Sequence, residues 1–540
     1  MSKLDTPEDA LPLLAYKIAP RQFDISYRFS NISLRDQIVR AQMLVRTLLD
    51  TGLVRAKADG QRGEFQLLIC GAGAAGLAAA KEADAHNISF VLVEKGRSVP
   101  GGVLRSKATR YVSTAMYEWP HPNHNQHVYP LSDPKLLGVD VPPCPTLTLP
   151  FDEPVLIQAF GNEMKSALRS DIRKWKKNSS EFQIGNFPVK HSLLVTRAEV
   201  SNQSKQDLKK MLDGKVSIHG VPLRDQSLPD IFLESLSGAA IPNPIRFEYV
   251  IYAVGFAQEA KTYAGDKKPY KGFKYTPFWR PDRVFESKLG FAAPPKVGIL
   301  GSGDGALQDA LRCLVNKDFQ HPLDIWNGLM LCDQGEQNCL QDSPHVHEAM
   351  AKVAAVDGYT TNGAIWSHQT HVFESLDKAF EDIIDDLIKL EGLKLQHAVD
   401  SMARDDVKKV TVVTQSGYFS KAYALNRFLV ILFLKLLRSS KKSNIVIFEI
   451  ISGKVIEFKK VGGNLQGAHI RIEHAPDDVT VRACDLVLIR GGLDKSYPPL
   501  QHVGLSGMDT GRAGLGRIPP PIRPIAVFQG KEISSDPKSS

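Results

Sequence analysis

The run Gly71-Ala72-Gly73-Ala74-Ala75-Gly76 constrains this chain most, because of what stands on either side of it. Before it comes Phe65-Gln66-Leu67-Leu68-Ile69-Cys70, a short apolar run that reads as a buried parallel strand. After it, Leu77-Ala78-Ala79-Ala80-Lys81-Glu82 opens a helix, and a second apolar run, Phe90 to Val93, ends at Glu94. Each glycine has its own physical role. Gly71 permits the tight turn, Gly73 lets backbone approach a pyrophosphate, and Gly76 lets helix and strand pack closely. The helix N-terminus then offers unpaired N–H groups and partial positive charge to the phosphates. Glu94 is placed to accept hydrogen bonds from ribose hydroxyls. Glycine and alanine alone would say little; strand, turn, helix and acid together predict a dinucleotide-binding α/β unit.

Past Glu94 the chain reads Lys95-Gly96-Arg97-Ser98-Val99-Pro100-Gly101-Gly102. Residues 65 to 102 resemble the extended FAD fingerprint of the two-dinucleotide-binding-domain flavoproteins, the superfamily of flavin-containing monooxygenases and flavin disulfide reductases. The resemblance implies FAD held by Gly71, Ala72, Gly73, Ala74, Ala75, Gly76, Glu94, Lys95, Gly101 and Gly102. Tyr249 to Phe256 resembles the superfamily's short strand ending in Ala-x-Gly, which places Gly255 near the cofactor. Asp485 to Gly492 is a looser echo of it.

A second glycine turn, Gly301-Ser302-Gly303-Asp304-Gly305-Ala306, follows the apolar run Lys296 to Leu300 and opens another helix. It resembles the superfamily's NAD(P)H-binding turn, so Gly301, Gly303, Asp304, Gly305 and Ala306 are its candidate contacts. Ala306 replaces the third glycine, and Asp304 would sit unusually near the phosphates. Asp333 lies about where a ribose-binding acid would be, and no arginine obviously awaits a 2′-phosphate, which leaves NADH and NADPH both open.

These signals predict an α/β fold: a doubly wound, Rossmann-like FAD-binding domain at 60–290 and a second, NAD(P)-binding Rossmann-like domain at 291–495. An N-terminal helical segment, 1–59, precedes them. Its helix starts at a capping box of Ser33 and Asp36, stops at Gly52, and carries the apolar stripe Leu34, Ile38, Ala41, Val45, Leu48. A helical insertion at about 337–400 shows a face of Phe373, Leu376, Phe380, Ile383, Leu387 and Leu390, fit to cover a site or to form a subunit contact in a homo-oligomer. The proline-rich segment 496–540 is expected to pack back on the FAD domain and to end in a disordered tail.

Other classes are disfavoured by composition. The net charge of +8 is spread over short, distant basic clusters such as Arg173 to Lys177, which fit solvated surface better than a nucleic-acid stripe. The longest apolar run, Phe428 to Leu434, is far shorter than the ~20 residues of a membrane span. Six scattered cysteines suggest a reducing, cytoplasmic setting. They include no close pair, which argues against a redox-active disulfide. His121, His124 and His127 recur every third residue, but no partners stand at metal-ligand spacing, so no metal site is expected.

In the resembled superfamily the flavin carries the chemistry and the protein supplies orientation and access, so no catalytic residue is assigned. The segment Arg110 to His121 is where relatives often line the flavin, and its Arg-to-Tyr-acid-Trp-Pro block resembles one in poorly characterised bacterial FAD-dependent oxidoreductases. The resulting expectation is an FAD-dependent oxidoreductase that takes hydride from NADPH or NADH and passes it to oxygen or another small-molecule acceptor, as a monooxygenase, oxidase or reductase. Two rivals stand beside it: an amine or amino-acid oxidase that uses no nicotinamide, and a non-catalytic FAD-binding redox sensor or scaffold.

Overall fold

Buried β-branched and leucine-rich runs place the strands. In a computed structural model the described residues are 16–25, 34–56, 64–113, 153–183, 192–213, 228–238, 244–255, 276–331, 340–361, 370–420, 422–442, 445–460 and 467–492, with a few isolated positions between. The strands are β1 (Lys17–Ala19), β2 (Gln22–Asp24), β3 (Glu64–Cys70), β4 (Phe90–Glu94), β5 (Tyr111–Val112), β6 (Val155–Leu156), β7 (Ser192–Thr196), β8 (Ala198–Val200), β9 (Leu233–Ser235), β10 (Arg246–Tyr252), β11 (Lys296–Leu300), β12 (Lys409–Thr414), β13 (Ile447–Ser452), β14 (Lys454–Lys460), β15 (Ala468–Ala475), β16 (Asp478–Cys484) and β17 (Leu486–Ile489). The helices are α1 (Leu34–Asp50), α2 (Ala74–Ala85), α3 (Ile157–Ala167), α4 (Arg169–Gln183), α5 (Asn202–Asp213), α6 (Asp304–Leu314), α7 (Pro322–Leu331), α8 (Pro344–Thr361), α9 (Thr370–Met402) and α10 (Ala424–Ser439).

The first unit is a six-stranded sheet in the order β1-β2-β10-β3-β4-β7, parallel except for β1. Successive residues of a strand face opposite sides. Leu67 and Ile69 therefore join the core under α1 to α4, while Leu68 and Cys70 join the core beneath the antiparallel β8–β9 pair and α5. The N-terminal segment is not helical throughout: β1 and β2 extend this sheet, with Val250 of β10 beside Gln22. These strands are only three residues each, too short to stand out as a pattern.

Helix α1 buries Ile38, Ala41, Val45 and Leu48, as its stripe requires, and packs against the alanine-rich α2. Arg46 donates to Glu82 Oε1 at 2.8 Å across that contact. Gly52 follows the helix at φ +74°, a left-handed conformation that favours glycine. The capping box at Ser33 and Asp36 involves side chains outside the described residues, as does the C-terminal segment 496–540.

The second unit is a parallel four-stranded sheet, β13-β12-β11-β17. One face packs on the helices and the other on the antiparallel sheet β14-β15-β16. Gly298 permits the second contact, since a Cβ there would lie 2.8 Å from Cys484 Sγ. The helical insertion lies between α6 and β12. Its Val353, Phe380, Ile384 and Leu387 share one core with α6 and α10. The predicted stripe holds from Phe373 to Leu387, but Leu390 is exposed. A repeat averaging 3.5 residues drifts around a 3.6-residue helix, so by that turn the buried face has moved to Glu391 and Leu395.

Because the insertion's apolar face is core, Phe380→Ala should destabilise the chain by about 3–5 kcal/mol, the usual cost of emptying a buried aromatic site. Chemical denaturation checks this; a loss under about 1 kcal/mol would mean that α9 is a detachable cover.

Candidate dinucleotide-binding site

The first glycine turn sits where β3 meets α2. Gly71 has φ +101°, and a Cβ there would lie 2.5 Å from the Ala253 carbonyl oxygen. A Cβ on Gly76 would run into the Gly71 carbonyl oxygen, so only glycine lets α2 approach the strand this closely. At Gly73 the situation reverses: a Cβ would meet nothing within 4 Å. Gly73 caps α2 without any side-chain hydrogen bond, which leaves the first-turn N–H groups turned toward open space.

Glu94 closes this turn from the side. Its Oε2 accepts from the Ala72 N–H at 2.8 Å and its Oε1 from the Gly96 N–H at 2.7 Å. Gly101 donates its N–H to the Ala72 carbonyl at 2.7 Å. A Cβ on Gly101 would lie 2.5 Å from Glu94 Oε2, which accounts for glycine there. The carboxylate is thus held against the turn by backbone donors. Gly102 (φ +61°) begins the next short helical turn, and Gly255 (φ +81°) follows the strand end whose Ala253 N–H donates to Cys70 O at 2.8 Å. Ala74 and Ala75 lie in the first turn of α2. The Lys95 ammonium pairs with Glu199 Oε2 at 3.1 Å.

The second turn repeats this construction. Cys70 pairs with Val93 and Leu300 with Val413, so Gly71 and Gly301 take matching places, as do Glu94 and Thr414. The Gly71 N–H donates to Val93 O at 2.8 Å and that of Gly301 to Val413 O at 3.0 Å. The Arg490 N–H donates to Leu300 O at 2.7 Å, as Ala253 does to Cys70, and Gly492 (φ +80°) matches Gly255. Ser420 donates its N–H to Ser302 O at 2.9 Å, as Gly101 does to Ala72. Gly303 caps α6, again without a side-chain bond. Gly305 lies under the Phe278 ring, and Ala306 is buried at the third position.

Two expectations change here. Asp304 does not face the turn's mouth: its Oδ1 accepts from the Tyr423 N–H at 2.7 Å and from Asn426 Nδ2 at 2.9 Å, at the start of α10. Asp333 lies outside the described residues, and the second strand of this unit is β12, so the register partner of Glu94 is Thr414. The insertion displaced that position by some eighty residues of sequence beyond Asp333. Thr414 is fully buried and carries no charge to meet a ribose.

The segment after the paired glycine contributes to a buried charge cluster. Arg110 forms a buried cluster with Asp309 Oδ1 (2.5 Å), Asp282 Oδ2 (3.2 Å), Arg312 and Arg490, and Trp119 inserts into the core of the second unit. Burial pulls the Arg110 guanidinium down to about 10. Burial alone would raise Asp309, yet Arg110 and Arg490 overcome it and hold the carboxyl well below its ordinary range. No sequence periodicity announced this cluster, because its members are up to 380 residues apart.

His121, His124 and His127 lie outside the described residues, and among the described residues no three His, Cys, Asp or Glu side chains gather as a metal site. Cys70, Cys313 and Cys484 are buried and unbonded, with burial pushing each thiol up to about 12. No helix among the described residues is long and apolar enough to cross a membrane.

Comparison with known proteins agrees on the fold. Residues 69–131 match the NAD(P)-binding Rossmann-like domain family. The chain therefore contains a Rossmann-like domain within a mixed α/β fold. No curated protein matches the sequence. Among solved structures, T. acidophilum thioredoxin reductase is 13% identical over 83% of this chain and 82% of its own, with a TM-score of 0.34. Lactococcus lactis thioredoxin reductase is 11% identical over 82% of each chain, at 0.36. A cyclohexanone monooxygenase variant from Rhodococcus sp. Phi1 bound to NADP+ is 14% identical over 80% of this chain and 72% of its own, at 0.35. Likenesses this loose carry no argument about activity.

Burial raises the Asp304 carboxyl to about 7, against the Tyr423 and Asn426 donors and Arg427, which pull it down. Between its ordinary 3.8 and about 7 the folded chain holds a proton that the unfolded chain releases, so this group lowers stability as pH rises through that window. Asp304→Asn should flatten that part of the stability–pH curve, measured by denaturant unfolding from about pH 4.5 to 7.5 in steps of about half a unit. An unchanged slope would show that Asp304 is ionised throughout.

Proposed function

We propose that this chain is an FAD-dependent oxidoreductase in which NADPH or NADH reduces the flavin and the flavin then reduces oxygen or another small-molecule acceptor. The observation that carries the reading is the pair of glycine turns, built on the same register and the same backbone hydrogen bonds, the first with Glu94 latched beside it. The match of residues 69–131 to the NAD(P)-binding Rossmann-like family supports it. On this reading the FAD domain spans 60–290, the nicotinamide domain 291–495, and 496–540 packs back on the first. Three buried, unbonded cysteines suit a reducing, cytoplasmic setting.

The residues present fit a dinucleotide. The uncapped start of α2 offers N–H donors to a diphosphate, and open space before Gly73 admits it. Glu94, fixed by two backbone donors, keeps lone pairs for ribose hydroxyls. When bound, the flavin would supply the hydride chemistry. In the second unit, Gly301, Gly303 and the start of α6 would hold the nicotinamide nucleotide's diphosphate. Thr414 would leave its ribose without a carboxylate partner.

The purified protein should be yellow, and anaerobic NADPH or NADH should bleach the oxidised flavin spectrum. Gly73→Val should lower flavin affinity by at least about 100-fold, or roughly 2.7 kcal/mol, while far-UV dichroism and the thermal midpoint of the flavin-free protein stay put. Gly76→Ala should instead lose the fold itself. If the Gly73→Val variant keeps its flavin, this turn drops out of the reading. A flavin that neither nicotinamide bleaches leaves the amine or amino-acid oxidase, or the non-catalytic sensor.

A further inference from the structure

Arg110 and, beyond β5, Met116 and Trp119 reach from the first unit into the second. Arg110 is fixed in the first unit by its own backbone, whose carbonyl accepts from the Ile157 N–H at 2.8 Å beside the β5–β6 pair. Its side chain reaches the second unit: Nη1 donates to Asp309 on α6, while Nε donates to Phe278 O at 2.7 Å and the guanidinium lies 3.7 Å from the Phe278 ring centroid. From the second unit, Arg312 Nη2 donates to Thr109 O at 2.9 Å and Nη1 pairs with Asp282 at 2.9 Å. Arg490 Nε completes the cluster on Asp309 Oδ2 at 2.6 Å. No side chain in it is more than 7% exposed.

Nine residues on, Trp119 provides a contact of different chemistry. It is 3% exposed and packs edge-on to Trp326 of α7, with ring centroids 4.9 Å apart, and against Phe428 of α10 at 5.5 Å. Met116 is buried in the same core.

We propose that Arg110 and Trp119 anchor a strap that holds the two units in one fixed orientation, so that the two glycine turns keep a constant separation. A purely apolar interface tolerates sliding. A buried charge cluster does not, because any shift that parts Arg110 from Asp309 leaves charges out of water without their partners. The second anchor prevents rotation about the first. The strap acts whichever nucleotides the units carry, so it stands apart from the proposed reaction.

The test is the distance distribution between spin labels on exposed Lys177 of α4 and exposed Leu393 of α9, read by pulsed electron resonance on the full chain with Cys144, Cys332 and Cys339 replaced by serine. One narrow distance is expected, unmoved by NADPH or NADH. Arg110→Met leaves two arginines facing two aspartates, so it strands no charge; combined with Trp119→Ala it should broaden or split the distribution while far-UV dichroism is retained. Should the double variant fail to fold, Arg110→Met alone decides by the same readout. A broad or divided distribution before any strap residue is changed, or an unaltered narrow one in the folded variant, overturns the proposal.

Discussion

The first unit depends on one close approach, that of Gly76 to the carbonyl of Gly71. It seats the start of α2 at the very end of β3, and other elements key on the backbone so exposed. Ala72 gives its N–H to Glu94 and its carbonyl to Gly101, while Ala253 bonds Cys70. A methyl group at Gly76 would force the helix outward and loosen all of these together. The turn therefore fixes where a diphosphate could meet the helix dipole, and also where the carboxylate beside it stands.

The second unit keeps this scaffold but changes what it holds. Ala306 fills the third position and is fully buried there. The latch differs too. In the first unit a carboxylate at the end of the neighbouring strand grips the turn; in the second that place holds uncharged Thr414, and Asp304 on the helix itself reaches across to the start of α10. The second unit's carboxylate thus stands at a joint between helices and not at the end of the neighbouring strand. Burial keeps its proton affinity high.

What the sequence disclosed divides along physical lines. Strand–turn–helix units are local, and their glycines, apolar runs and the α1 stripe were all readable, as was the core face of α9 up to Leu387. The strands β1 and β2 were hidden because three residues carry no periodicity. The ribose-side residue of the second unit was misplaced because a helical insertion separates α6 from β12, and only pairing register, which is a tertiary fact, reveals Thr414. The Lys95–Glu199 pair is likewise not legible, because its partners are about a hundred residues apart in sequence. The Arg110 cluster was invisible for the same reason as Thr414: its five charges come from four separate stretches of chain.

That cluster links orientation to site geometry. Asp309 lies on α6, whose first turn is the second glycine turn, and Arg490 both binds Asp309 and presses its carbonyl against Gly301. A displacement of Arg110 would therefore pass through Asp309 to Arg490 and on to the backbone before the turn, through hydrogen bonds of 2.5 to 2.7 Å. Arginine suits this chain of contacts better than lysine, because its planar fork can bond two carboxylates, a backbone carbonyl and a ring face at once without losing its charge. Buried ion pairs are poor sources of net stability, but they penalise every arrangement except one. The proposed rigid placement of one unit on the other is what such a cluster can supply and an apolar contact cannot.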